Sequence, residues 1–265
     1  FVPGTCARGR CAKVVSKPAS KQSNFVTQIF LRTSGFDCLR STTKILMLNK
    51  NSLRNFLGEL PLAAELDYAL RQKNRARKDH FNLSRLHKSL PHAVAQAKPF
   101  IEKAQPGKKI LFFATLHYWI EQAAHISLVL AGLGHKVTLL TLPYSEWHKE
   151  LDKLTQKQRG LHTRDALSSL ASYVTHASFL DLKPAADLPA SLQADIAEVS
   201  LWDVQYTLMR EEVDMTDAKD KALYDLRIKR NTFAALAALE WMQTNKPDVV
   251  LIPNGLILEM GIVFR

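Results

Sequence analysis

The chain has 265 residues, 46% of them hydrophobic and 23% charged, enough to bury one sizeable core or a core with an accessory element. Its longest apolar runs, residues 110–114 and 126–133, fall well short of the ~20 residues that a membrane-spanning helix requires. The net charge of +11 is unevenly placed: residues 1–109 carry 21 lysines and arginines against 6 acids, and residues 110–265 carry 15 against 19. A basic front on a mildly acidic body argues against a uniformly basic nucleic-acid-binding domain.

Residues 1–45 are rich in Ser, Thr, Lys and Arg, hold Asp37 as their single acid and show no sustained periodicity. They have a transit-peptide flavour, but the first reading is a disordered segment or an extension foreign to the native protein. Cys6, Cys11 and Cys38 are the only cysteines. An odd count without CxxC spacing supports neither a disulfide framework nor a zinc site. Residues 46–107 read as a helical preface. Leu53, Phe56 and Leu57, then Leu62, Leu66 and Leu70, fall at helical spacing, with Pro61 suited to a first turn. Arg71, Lys73, Arg75, Arg77 and Lys78 form a basic cluster, expected to be a solvated helix end or linker, or a contact to an anionic surface. A further helix is expected over 83–104, split or kinked by Pro91 and Pro99. Gln105-Pro106-Gly107 is the clearest boundary in the chain.

After that boundary the pattern changes. Residues 109–115 (KILFFAT) form a short continuous apolar run, as a parallel strand covered on both faces does. A helix is expected over 118–131, ended by Gly132 and Gly134, and a second strand over 136–142 (KVTLLTL). This unit is the right size for a right-handed parallel crossover. Helices follow near 145–157 and 164–171, then a strand within 173–182, and long helices over 191–212 and 218–244. In the last of these, Leu223, Leu226, Phe233, Leu236, Leu239 and Met242 trace an apolar stripe facing the core, with Arg227, Lys229 and Arg230 pointing elsewhere. Residues 248–252 (DVVLI) read as another buried strand, ending in Pro253-Asn254-Gly255. Alternating strands and helices over 108–265 predict an α/β fold with a parallel, Rossmann-like sheet. Residues 261–265 stop inside an apolar stretch, so this lobe is expected to continue past Arg265.

Ligands of open α/β sheets bind outside the carboxyl ends of the strands. The loop after the first strand, Thr115-Leu116-His117-Tyr118-Trp119, contains no glycine, which argues against a dinucleotide-binding turn; a phosphate-binding G-x-x-x-x-G-K-[ST] loop is absent as well. His117, at the switch from strand to helix, has the chemistry to take a proton from a sugar hydroxyl, and Glu121 lies one helical turn on to orient it. The competing reading has His117 capping or packing at the helix start with Tyr118 and Trp119. His125 would share the face of His117 and Glu121, but the trio lacks the second cluster that a metal site needs. Tyr144, Glu146 and Trp147 follow the second strand as packed aromatics or as a rim for stacking sugars. Asn254 and Gly255 read as a turn with Asn capping the next helix, a position that also suits hydrogen bonds to sugar hydroxyls.

The segment LAGLGHKVTLLT (130–141) resembles the helix–Gly-His-x-Val-Thr–strand passage in the first lobe of GT-B glycosyltransferases. Together with residues 110–147, DVQYTLMREEVD (203–214), LYDLRIKRN (223–231) and residues 248–265, it is similar to capsule-polysaccharide-biosynthesis-type proteins. That resemblance implies two facing Rossmann-like lobes, the first holding the acceptor and the second a nucleotide-sugar donor. It implies a structural role for His135 and a base at His117; the candidate substrate-binding residues, read from the loops at the strand ends, are Tyr118, Tyr144, Trp147, Asn254 and Gly255. The implied partners are a sugar or glycan acceptor and a C-terminal lobe, with no cofactor in this portion, which by itself is expected to be inactive. A cytoplasmic location, with peripheral contact at the inner membrane face, goes with it. Alternatives are a sugar-nucleotide epimerase or hydrolase of the same two-lobed plan, and a non-enzymatic binding or assembly module.

Overall fold

Among the described residues four strands make a single parallel sheet in the order β3-β2-β1-β4: β1 is Lys109–Thr115, β2 Lys136–Leu142, β3 Thr175–Ser178 and β4 Val249–Leu251. The computed structural model describes residues 49–74, 81–144 and 146–265, all within the unit Met47–Arg265. The expectations for residues 1–45, the cysteines and the side chains of the basic cluster lie outside the described residues. β1 pairs with β2 along its whole length, from Lys109 opposite Lys136 to Thr115 opposite Leu142. On its other side it pairs with β4, from Ile110 opposite Val249 to Phe112 opposite Leu251.

The unbroken apolar run of β1 is explained by cover on both faces. Ile110, Phe112 and Ala114 join one core with α3 (Ser84–Ile101) and α4 (His117–Gly132). Leu111 and Phe113 join the other, with α6 (Ala190–Leu208), α7 (Ala218–Asn245) and α8 (Leu258–Phe264). Each large side chain so buried stabilises the sheet by about 1.5–3 kcal/mol relative to exposure. Leading into the lobe, α1 (Lys50–Glu59) and α2 (Ala63–Asn74) pack on α5 (Lys153–Ala166). Gly58 permits the close approach of α1, since a Cβ there would run into the backbone of Lys153 and Leu154. Among the described residues no helix is long and apolar enough to cross a membrane.

Several expectations are corrected. Pro91 and Pro99 do not split α3, which is continuous from Ser84 to Ile101. Both prolines are exposed, so the carbonyls they leave without an N–H partner meet water, while Leu86 and Leu90 hold the opposite face in the core. The helices expected near 145–157 and 164–171 are replaced by one, α5, because Asp152 sets its start: its carboxylate accepts from Thr155 N at 2.9 Å and from Thr155 Oγ1 at 2.7 Å. Of the apolar residues at helical spacing, Leu53 and Phe56 of α1 and Leu66 and Leu70 of α2 are exposed and Leu57 is half-buried, while Leu62 lies in the turn between the two helices with φ 61° and is exposed. The stripe on α7 is only half-buried. The buried face of that helix is instead Arg227, Arg230, Asn231 and four alanines.

Candidate functional site

At the carboxyl end of β1 the backbone turns sharply into α4. Thr115 is buried, and its Oγ1 donates to Leu142 O at 3.0 Å, tying the ends of β1 and β2 together. Leu116 follows with φ 62° and ψ 143°, a conformation that costs a non-glycine residue on the order of 1–3 kcal/mol. His117 is the first residue of α4 and is half-buried. Its ring meets Tyr118 edge-on at 5.4 Å, and it has no hydrogen-bond partner among the described residues. Tyr118 is exposed. The Glu121 carboxylate does not bond His117; the backbone carbonyl of Glu121 lies 2.8 Å from His125 Nδ1. Among the described residues no three His, Cys, Asp or Glu side chains converge as metal ligands.

Asn254 does not cap α8, which begins at Leu258; its Oδ1 accepts from Leu256 N at 2.8 Å, closing a local turn. Gly255 packs under the Phe264 ring, which a Cβ would crowd at 3.0 Å. Trp147 packs against the core of α6–α8, and its buried Nε1 has no hydrogen-bond partner among the described residues. His135 accepts the N–H of Lys108 on its Nδ1 at 3.0 Å, fastening the turn before β1 to the turn before β2.

The main cleft opens beyond the carboxyl ends of β2 and β3. It encloses about 610 Å³, and Asn51, Asn55, Tyr144, Gln156, Lys229 and Arg230 are among its lining residues. Arg230 is 6% exposed. It spans from α7 to the loop after β2, donating from Nη1 to Glu146 O at 3.0 Å and from Nη2 to Lys149 O, with its guanidinium 4.3 Å from the centre of the Tyr144 ring. The same loop is held from α5, where Arg159 donates to Glu146 at 2.9 and 3.2 Å in a two-pronged pair. Tyr144 is itself buried, and burial first, then the nearby Glu259 charge, pushes its hydroxyl up to about 12. It therefore remains a neutral donor at ordinary pH. Its hydroxyl has no hydrogen-bond partner among the described residues. Asn55 Oδ1 accepts from Lys153 N at 2.9 Å, which leaves its amide N–H groups for a ligand. Lys229 pairs with Glu150 at 2.5 Å across the rim, where both are exposed.

Behind the cleft lies a fully buried ionic knot. Arg227 Nε donates to Asp203 Oδ2 at 2.9 Å, and Asn231 Nδ2 reaches the same oxygen at 3.0 Å and Ser200 Oγ at 3.0 Å. Asp203 Oδ1 accepts from Leu258 N at the start of α8. Glu259 Oε1 lies 3.0 Å from Arg227 Nη1 but is misaligned for a hydrogen bond, so neither atom has such a partner. Burial opposes the charge of Arg227, yet Glu259 and Asp203 more than offset it and hold its pKa above the ordinary value. One cation serves two buried carboxylates, and burial pushes Asp203 up despite Arg227 beside it.

Of the candidate site residues read from sequence, only Tyr144 lines the cleft. His117, Tyr118 and Glu121 belong to the end of β1 and the first turn of α4, and Asn254 and Gly255 to the loop after β4. Sequence reasoning missed Asn51, Asn55, Gln156, Lys229 and Arg230, which reach the cleft from α1, α5 and α7. The architecture defines an α/β protein with a four-stranded, all-parallel sheet. Compared with known proteins, the chain matches no family model, no curated protein and no solved structure.

Proposed function

We propose that this lobe is the acceptor-holding half of a nucleotide-sugar-dependent glycosyltransferase of surface-polysaccharide assembly, built on a Rossmann-like sheet. The observation that carries the reading is what gathers at the carboxyl ends of the parallel strands: a cleft of mixed polar and apolar lining beyond β2 and β3, and at the end of β1 an imidazole without a hydrogen-bond partner among the described residues. This is the end of such a sheet where ligands bind, and a volume of about 610 Å³ suits one or two sugar units. Amide groups of Asn51, Asn55 and Gln156 suit hydroxyl-rich ligands: Asn55 keeps its N–H groups although its oxygen accepts from Lys153 N, and Gln156 keeps its oxygen although its amide nitrogen donates to Leu151 O. In the transfer, the acceptor hydroxyl oxygen bonds to the anomeric carbon, the bond from that carbon to the nucleoside diphosphate breaks, and His117 takes the hydroxyl proton. Nucleotide-sugar binding is assigned to a second lobe.

Titration of the chain with oligosaccharides, followed by backbone and side-chain NMR, tests the reading. Saturable shifts at Asn55, Tyr144 and His117 are expected. An absence of shifts with every glycan tried would remove the acceptor role. In the transferring enzyme, His117→Ala is expected to lower turnover by roughly 100-fold or more, and turnover near the unsubstituted rate would remove His117 from the mechanism.

A further inference from the structure

The cleft holds two side chains that the fold has buried without finishing. Arg230 is 6% exposed and Tyr144 8% exposed, and both line the same space. The guanidinium makes hydrogen bonds to two backbone carbonyls and rests on the face of the Tyr144 ring, with no carboxylate bound to it among the described residues. Carbonyl dipoles and a ring face stabilise a cation only in part, and a buried cation without a counter-ion is costly. The other buried arginines differ in this respect: Arg227 has Asp203 and Glu259, and Arg159 has Glu146. The carboxylate nearest in effect to Arg230, Glu259, is already engaged with Arg227. The Tyr144 hydroxyl, kept protonated by its burial, adds a donor beside that unmet charge.

We propose that Arg230 and Tyr144 form an oxyanion anchor, so that the ligand of this cleft is an acidic sugar whose phosphate or carboxylate sits on the guanidinium and accepts from the Tyr144 hydroxyl. The proposal rests on the acceptor-lobe reading for the sugar, while the anchor stands on the geometry alone. The remaining cations of the rim are paired directly, Lys229 with Glu150 and Lys153 with Glu59, which leaves Arg230 as the lining cation with no direct carboxylate contact among the described residues; the Glu259 and Glu150 charges act on it only from a distance. A planar, two-pronged guanidinium suits both groups. Asn51 and Asn55, across the cleft on α1, are placed for the neutral hydroxyls.

Calorimetric titration of the whole chain with glucuronate, glucose 1-phosphate, glucose and inorganic phosphate tests both layers. Acidic sugars are expected to bind at least tenfold more tightly than glucose, and the stronger of the two identifies the anionic group. Tyr144→Phe keeps the ring beneath Arg230 and removes only the donor, and is expected to weaken the acidic sugars roughly tenfold, several-fold more than it weakens glucose. Arg230→Gln is expected to abolish the preference for acidic sugars; should it unfold the loop, as circular dichroism would reveal, the Tyr144→Phe result still decides. Equal binding of glucose and glucuronate, unaffected by Tyr144→Phe, would overturn the anchor and leave the sugar reading intact. Binding of phosphate and of both acidic sugars at the affinity of phosphate alone, lost in Arg230→Gln, would keep the anchor and sink the sugar reading. No binding of any of the four would overturn both.

Discussion

His176 sits on β3 with its Nε2 2.9 Å from Thr141 Oγ1 on the neighbouring strand. Burial, with the Arg164 charge adding to it, lowers its pKa from 6.5 to about 4. Between those values the unfolded chain binds a proton that the folded chain does not, so folding is favoured as pH rises. The stabilisation is complete above pH 6.5 and is lost as pH falls toward 4. From pH 7 to pH 5 the loss from this one residue amounts to at most about 2 kcal/mol. His176→Gln retains a polar partner for Thr141 and removes the titration. Its melting temperature should fall less than that of the unsubstituted chain over the same interval; parallel curves would remove His176 as the cause. His176 attracted no notice in the sequence because burial, not residue type, sets its behaviour. Arg230 was missed for a related reason. Read as a helix surface, Arg227 and Arg230 interrupt an apolar stripe, and the natural inference turns them to solvent. In fact Arg227, Asn231, Ala234 and Ala238 share one buried face at helical spacing, and Arg227 reaches from it to carboxylates on α6 and α8. An arginine aligned with a run of alanines was the available signal.

At the scale of elements, what could be read was what local physics decides. The run 109–115, the helix after it and the run 136–142 were legible to within a residue, because buried parallel strands read as apolar blocks and the end of α4 is written in glycine. Gly134 has φ 90°, and a Cβ there would collide with Gln105 O in the turn before β1. Gly134→Ala therefore faces two penalties, backbone strain and a clash with main chain that cannot rotate away, and should cost upwards of about 2 kcal/mol. A urea titration measures this. A loss below about 0.5 kcal/mol would mean that the turn relaxes without strain. Elements set by side chains from elsewhere were not legible. The loop from Glu146 to Asp152 is fastened by Arg159 and Arg230, and only the Asp152 cap decides where α5 begins. The cleft was illegible for the same reason, since α1 contributes Asn51 and Asn55 about 90 residues before the strand end that they face.

For the lobe as a whole, the charge division seen in the sequence matters less than the sheet's two-sided cover. β1 places Ile110, Phe112 and Ala114 in one core and Leu111 and Phe113 in the other. Neither helical layer can leave without exposing one face of the same central strand, and neighbouring side chains on β1 alternate between the two cores. The lobe should therefore unfold as one cooperative unit, the more so because Trp119 packs against both cores. Leu90→Ala removes buried volume on the α3–α4 side, and Val199→Ala removes it on the α6–α8 side; both residues are fully buried. The first should cost about 2–5 kcal/mol, and the second less, because valine loses fewer methyl groups. In both variants calorimetry should give one transition at a lower temperature, with far-UV circular dichroism and tryptophan fluorescence moving together. A variant with two transitions, one unchanged from the parent, would show that β1 does not couple the layers. The binding site would then be tied to the α6–α8 layer and to α1 and α5, because Arg230 and Phe233 of α7, Asn51 and Asn55 of α1 and Gln156 of α5 line the cleft, whereas no residue of α3 or α4 does among the described residues.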